Sequence, residues 1–129
     1  MTKTEQAERN EKLALEILAF LRQHGMWQDT TIFFNGKALS TSNYDRDNPQ
    51  HHYDEQEPFT LDPFLPKFEY AAPPDRHILS MSWDGPLHNL LNYGEPSWKL
   101  QEEFRQIFVR HGVWYEQGHS WNLTCYEKR

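Results

Sequence analysis

Two stretches of the chain repeat apolar residues at the spacing of an amphipathic helix. The stripes are Leu13, Ile17, Phe20 and Leu21 in the first stretch, and Leu100, Phe104, Ile107 and Phe108 in the second. A glycine follows each stripe, Gly25 in one case and Gly112 in the other. Glycine often ends a helix because it adopts the left-handed conformation without steric cost. The sequence therefore predicts two long helices that each bury one face and end just before a glycine.

A β-hairpin pattern follows each predicted helix. The segment 30–34 is rich in β-prone residues, and Asn35-Gly36 then precedes a second such run at 37–40. Asn-Gly between two such runs is the strongest short hairpin signal, since both residues tolerate positive φ. After the second helix, the segments 113–117 and 121–126 flank a turn at Gly118-His119. On strand alternation, Trp121, Leu123 and Cys125 would share one face.

Two stretches within these helix–hairpin units, 13–27 and 100–114, align with each other without gaps when the chain is shifted by 87 residues. The identical pairs are Leu13 and Leu100, Glu16 and Glu103, His24 and His111, Gly25 and Gly112, and Trp27 and Trp114. The match indicates either an internal duplication or the repeated use of one capping arrangement. His24 and His111 fall in the last helical turn, where an imidazole suits the helix dipole, so we interpret both as structural.

The middle of the chain predicts one more strand and a short helix. In the segment 77–83, Leu79, Met81 and Trp83 alternate with Ser80 and Ser82, which is typical of a strand with one polar face. Asp84 would cap a short helix that carries Leu87, Leu90 and Leu91 and ends at Gly94. Pro96 or Ser97 would begin the next helix. The segment 59–70 is apolar but interrupted by prolines, so we expect an extended stretch with an edge strand at 67–71.

These elements together predict an α+β fold. Hairpin connections imply an antiparallel sheet of about five or six strands, and the two long amphipathic helices would cover one face of it, giving two layers. A length of 129 residues corresponds to a single domain over 1–129. A long acidic loop at 42–58 would interrupt that domain.

Charge and composition exclude several classes of function. The formal net charge of −6 falls entirely within residues 42–75, which hold eight acids and two bases. Nucleic-acid binding is not expected, because it needs clustered Lys and Arg. No apolar run is long enough for a membrane span. The single cysteine excludes a disulfide scaffold, and the polar N-terminus fits neither a secretory nor a mitochondrial signal, so we expect a cytoplasmic protein.

The loop at 42–58 is the strongest candidate for a functional segment, because it contains no Leu, Ile, Val, Met or Phe and cannot add much to a core. Trp98 is a further candidate, because its position in the second predicted helix lies outside the apolar stripe of that helix. The predicted partner-binding residues are Tyr44, Asp45, Asp47, His51, His52, Tyr53, Asp54, Glu55, Glu57 and Trp98. Their spacing matches neither a calcium loop nor a zinc motif, so we predict no metal and no cofactor.

No catalytic motif stands out. Cys125 falls on a predicted apolar face, which favours a buried core residue over a nucleophile. We therefore expect a non-catalytic binding protein that engages a protein partner, one with a basic surface, through the acidic loop and neighbouring aromatics, as inhibitor or immunity-type proteins do by analogy only. The alternative is a small-molecule-binding protein or enzyme with a pocket between sheet and loop, lined by His and acidic side chains. DNA mimicry is a weaker option, and an unpaired edge strand would permit a homodimer.

Overall fold

The computed structural model describes residues 1–42, 56–64, 66 and 77–128. The elements in chain order are α1 (Lys3–Gln23), β1 (Thr30–Phe34), β2 (Lys37–Ser40), β3 (Phe59–Leu61), β4 (Ser80–Trp83), α2 (Pro86–Tyr93), α3 (Trp98–Arg110), β5 (Val113–His119) and β6 (Asn122–Glu127). The strands form one antiparallel sheet in the order β3-β2-β1-β4-β6-β5. The predicted α+β class and antiparallel sheet are confirmed. None of the helices in the described ranges is both long and apolar enough to cross a membrane.

The two long helices end in the same way. The C-cap residues His24 and His111 have nearly equal backbone angles, with φ −100° and ψ 11° in one and φ −97° and ψ 9° in the other. Gly25 and Gly112 follow with φ of +68° and +71°. The predicted glycine stops are therefore confirmed. The shared ancestry of the two units remains a prediction.

The hairpin between β1 and β2 turns at Asn35 and Gly36, whose φ values of 51° and 73° belong to a type I′ turn. The Asn35 side chain also ties this turn to α1. Its Nδ2 donates to the Ala7 carbonyl at 2.9 Å, and its Oδ1 accepts from Asn10 Nδ2 at 3.2 Å. The turn thus fixes where α1 lies on the sheet.

The helices cover one face of the sheet, and the apolar core lies between them. Ile32, Met81 and Leu123 are neighbours across the three central strands and are all fully buried. They pack into one cluster with the apolar stripes of α1 and α3 and with the leucines of α2. This arrangement leaves the second face of the sheet to carry the polar strand residues.

Two local predictions are wrong, and a third falls outside the described residues. Asp84 does not cap α2: the N-cap is Gly85, and Asp84 Oδ1 accepts a hydrogen bond from the Gly85 N–H at 3.0 Å. Trp121 does not share the buried face with Leu123 and Cys125, because β6 begins at Asn122 and Trp121 lies in the preceding turn with 43% of its surface exposed. The edge strands in the described part of the chain are β3 and β5, and the predicted 67–71 strand falls outside the described residues.

Candidate functional site

Several connections meet at one end of the molecule, which we call the loop end. It comprises residues 24–30, 56–58, 84–85, 94–98 and 118–121. Helices α1 and α3 run antiparallel, because Glu16 contacts Arg110 while His24 and Lys99 line the other end of the groove between them. The start of β1, the end of β4 and the start of β6 reach the same end, as their registers require.

Residues 56–58, the described C-terminal part of the acidic loop, contact α1 and the segment that follows it. Glu57 forms an ion pair with Arg22 near the end of α1, with 2.9 Å between Oε1 and Nη2. Gln56 Nε2 donates to the Trp27 carbonyl at 3.2 Å. Eight of the predicted partner-binding residues lie outside the described residues: Tyr44, Asp45, Asp47, His51, His52, Tyr53, Asp54 and Glu55. The structure therefore places two of the predicted residues, Glu57 and Trp98, at the same end of the molecule.

Trp98 is exposed and yet held in position. Its side chain is 66% exposed, but its ring lies against Gly94, where an added Cβ would stand 2.3 Å from the indole Cδ2. Gly94 closes α2 in the left-handed conformation, and Ser97 caps α3 by accepting a hydrogen bond from the Leu100 N–H at 3.0 Å. The two helix ends thus fix the backbone around the indole. Tyr93, the last residue of α2 and the residue before Gly94, is also exposed, at 59%.

The described part of the loop end carries an excess of negative charge. The acidic residues there are Asp29, Glu57, Asp84 and Glu95. Arg22 and Lys99, at its border, are the basic residues nearest to them in the helices, and Arg22 is already paired with Glu57. The surface around Trp98 is therefore acidic, even before the acids of residues 43–55 are considered.

Glu16 joins the two long helices at the opposite end of their groove. Its carboxylate accepts hydrogen bonds from the Arg110 guanidinium and, at 2.5 Å, from His111 Nε2. Partial burial favours the neutral acid, but the bonds from Arg110 and His111 outweigh that effect and lower the pKa of Glu16. The groove itself has a volume of about 700 Å³ and is lined mainly by polar and charged side chains. We interpret Glu16 as a structural link.

The second face of the sheet carries a band of small polar side chains. Strand register aligns the residues of this face in two rows, Phe59, Ser40, Thr31, Ser82, Asn122 and His119 in one, and Leu61, Ala38, Phe33, Ser80, Thr124 and Glu116 in the other. The small polar residues occupy the middle of the first row and two positions of the second, while apolar residues occupy the β3 end of both rows. Hydrogen bonds link several of the hydroxyls. Thr31 Oγ1 lies 3.0 Å from Ser40 Oγ, and Ser80 Oγ lies 3.2 Å from Thr124 Oγ1. This band is the polar face that the alternation of Ser80 and Ser82 predicted.

The structure brings together one pair that the sequence did not predict. His77 Nε2 lies 2.8 Å from Ser80 Oγ. Burial lowers the pKa of His77, which therefore stays neutral near pH 7 and can accept the Ser80 proton in this hydrogen bond. Ser80 has no exposed surface, so we interpret the pair as structural. No motif could have signalled it, because His77 precedes the strand and its position depends on the tertiary fold.

Cys125 is the buried core residue that its alternation predicted. Its side chain is almost fully inaccessible, and burial raises the pKa of the thiol, so a thiolate nucleophile does not form near neutral pH. The predicted pocket between sheet and loop stays a prediction, because most of the loop lies outside the described part of the chain.

Comparison of the chain with protein-family models, with curated protein sequences and with solved structures gives no match.

Proposed function

We propose that this protein is a non-catalytic binding protein that engages a basic protein partner at its loop end, with Trp98 as the main contact. The observation that carries the proposal is the state of Trp98, whose indole is two-thirds exposed while the backbone of Gly94 supports its inner face. Tryptophan is enriched among the few interface residues that contribute most of the binding free energy.

The support under the indole matters for affinity. Binding normally costs free energy because mobile side chains become ordered at the interface. Trp98 lies on a glycine between two capped helix ends, so it has less freedom to lose. The neighbouring Tyr93 adds a second exposed aromatic ring. Such a preorganised aromatic surface favours a protein interface over a solvent-facing role.

The charge around Trp98 favours a basic partner. The described acids of the loop end outnumber its bases, and residues 43–55 add Asp45, Asp47, Asp54 and Glu55 against Arg46. Opposite charges on two surfaces speed their encounter and select against wrong partners. The acidic loop would therefore increase the association rate, while Trp98 would slow dissociation.

The experiment that tests this proposal places a photo-cross-linking amino acid at position 98 in cells of the organism that encodes the protein. The same amino acid at position 114 is the control, because Trp114 is 46% exposed but lies at the opposite end of β5 from the loop end. We expect a protein with a basic surface to be cross-linked from position 98 and not from position 114. Equal labelling from both positions would contradict the proposed location.

The identified partner would then be titrated with purified variants. Trp98→Ala should weaken binding by at least about 30-fold, the loss typical of a binding hot spot, whereas Trp114→Ala should not. Replacing residues 44–57 by a Gly/Ser linker should slow association and reduce its dependence on salt concentration. If Trp98→Ala bound the partner as tightly as the unmodified protein, the proposal would be wrong.

A further inference from the structure

Strand β5 lies at the edge of the sheet and pairs with β6 along its inner side. The Lys128 N–H donates to the Gly112 carbonyl at 3.1 Å at the start of this pairing. In an antiparallel pair, the residues whose backbone groups bond to the neighbouring strand recur at every second position. The N–H and C=O groups of Trp114 and Glu116 therefore point inward, to β6.

The alternate residues of β5 point away from the sheet. Cys125, which lies opposite Tyr115, donates its N–H to the Leu79 carbonyl just before β4, at 2.9 Å, and so does not bond to β5. The N–H and C=O groups of Val113, Tyr115 and Gln117 consequently point outward. In the described part of the chain, β5 has no second neighbouring strand, so these groups are free to bond to another strand.

Nothing in the sequence of this edge blocks such pairing. Edge strands usually avoid it with lysine, proline or a bulge. Residues 113–117 contain neither lysine nor proline, and the irregularity in the pairing with β6 lies at their far end, between Gln117 and His119. Trp114 is 46% exposed, and its ring packs against that of Tyr126 with centroids 5.0 Å apart. An open edge beside exposed aromatic rings is typical of an interface.

We propose that β5 pairs antiparallel with β5 of a second copy of the chain, about a twofold axis at Tyr115, so that the two sheets become continuous. Val113 then lies opposite Gln117 of the second copy, and the outward-pointing residues of the two strands exchange about six hydrogen bonds. Trp114 lies opposite Glu116 of the second copy, and the reverse pair forms on the other side of the axis. The indole is thereby covered, and the two Glu116 carboxylates are kept apart.

The other symmetric registers fit less well. A shift by two residues in one direction places Glu116 directly opposite its own copy, and like charges in that position are destabilising. A shift by two residues in the other direction places Gln117 opposite His111, which caps α3 and is not part of a strand. The register centred on Tyr115 is therefore the one in which every outward-pointing residue of β5 has a strand residue opposite.

The charges around β5 favour a second copy as the occupant. Residues 76–129 hold as many basic as acidic residues, so two copies can meet here without net repulsion. On α3, Glu102 accepts a hydrogen bond from Arg105 at 2.8 Å. Burial raises the pKa of Tyr115 to about 12, and the charges of Arg105 and Glu102 also act on it, so this ion pair lies near the axis. The twofold operation reverses the pair, which brings the acid of one copy towards the base of the other.

Residues 113–117 lie outside the loop end, so this proposal and the proposed function can fail separately. The test measures the mass of the purified full chain by sedimentation equilibrium at protein concentrations up to the millimolar range. We expect a monomer–dimer equilibrium. A monomer at every concentration would overturn the proposal.

Charge variants test the side-chain pairing. Trp114→Glu should weaken dimerisation at least about tenfold, because it removes the indole and places like charges opposite each other on both sides of the axis. Adding Glu116→Lys to Trp114→Glu should restore dimerisation, since the opposite residues then carry opposite charges. Circular dichroism checks that each variant is folded. Dimerisation that Trp114→Glu leaves unchanged would contradict the proposed interface.

Disulfide formation tests the register. Opposite residues such as Trp114 and Glu116 of the second copy have Cβ atoms about 4.5–5.5 Å apart, which is close enough for a disulfide. A mixture of Trp114→Cys and Glu116→Cys proteins should therefore form a linked dimer much faster than either protein alone, while the native Cys125 stays buried. Trp98→Cys, another exposed position, is the matched control and should link slowly with both. If either variant linked to itself as fast as the mixture did, the proposed register would be wrong.

Discussion

The indole of Trp98 rests on the backbone of Gly94, so closely that a Cβ at position 94 would stand 2.3 Å from its Cδ2 atom. Gly94 ends α2 with a φ of +64°, a conformation that residues with a side chain rarely adopt. One glycine therefore performs two tasks: it reverses the chain between α2 and α3, and it supports the exposed ring. This relationship determines the shape of the loop end.

Gly94→Ala should separate these two tasks when it is compared with Gly25→Ala. Gly25 has a similar φ of +68° but no atom within 4 Å of an added Cβ, so its substitution introduces backbone strain alone. Gly25→Ala should lose about 1–2 kcal/mol of unfolding free energy in urea denaturation, and Gly94→Ala should lose more, because the contact with Trp98 adds to the same strain. Only Gly94→Ala should also shift the tryptophan fluorescence, because Trp98 must move. That shift should disappear in a Trp98→Phe background. Unchanged emission in Gly94→Ala would contradict the close approach.

The carboxylate of Glu16 should make the stability of the fold depend on acid pH. Its pKa lies below the ordinary value of 4.5, so its contribution is complete above that value and is lost as the pH falls through the lowered pKa. Because the side chain is 36% exposed, we expect a contribution of only about 0.5–1 kcal/mol. Urea denaturation between pH 7 and pH 3 should therefore show a smaller loss in Glu16→Gln than in the unmodified protein.

The matched control for this measurement is Glu103→Gln. Glu103 is an exposed glutamate of α3 with no ion pair to another described residue. Its substitution should leave the acid-dependent loss of stability unchanged. If both variants responded to pH in the same way, Glu16 would not link the two helices.

The thiol of Cys125 should be unreactive while the protein is folded. Burial removes access for reagents and raises the pKa of the thiol, so the reactive thiolate is scarce even at mildly alkaline pH. A chromogenic disulfide reagent should label the native protein slowly and the urea-unfolded protein quickly. The native rate should track the fraction unfolded as urea is added. Fast labelling without denaturant would show that this part of the core opens locally.

Local signals explain why much of the fold could be predicted from the sequence. The stripes of α1 and α3, the glycines that end them and the Asn35-Gly36 turn depend on residues close in the chain. The placement of β4 between the two hairpins depends on contacts distant in sequence, and no periodicity encodes it. Trp27 and Trp114 show what local signals do not predict. They occupy equivalent positions in the two units, yet Trp27 is buried and Trp114 lies exposed on the edge strand β5.

The candidate site was less predictable than the fold. The exposure of Trp98 follows from its position off the helical stripe, but its contact with Gly94 requires the geometry between two helices. The cross-strand pair of Ser82 and Asn122 depends on the register of β4 with β6, which the sequence does not give. The alternation of residues in β4 predicted which face of the sheet Ser82 occupies. It did not predict that Asn122 is the cross-strand neighbour of Ser82.

The contact of the first hairpin with α1 should be measurable as a coupling between Asn35 and Asn10. Asn10 is almost fully buried, and its Nδ2 donates to Asn35 Oδ1 at 3.2 Å. Asn35→Gly keeps the positive φ of the type I′ turn but removes this acceptor and the donor to the Ala7 carbonyl. We expect a loss of about 1–3 kcal/mol of unfolding free energy, because a buried amide is left without a partner.

A double-mutant cycle with Asn10→Ala isolates that contact from the intrinsic preference of the turn. Once Asn10 is alanine, Asn35→Gly no longer leaves its amide unsatisfied, so the second substitution should cost less than it does alone. Residues in direct contact typically couple by about 0.5–3 kcal/mol in such cycles. Urea denaturation of the four proteins gives the coupling. Additive losses would mean that the hairpin is held to α1 by apolar packing and by the bond to Ala7, and not by the pair of asparagines.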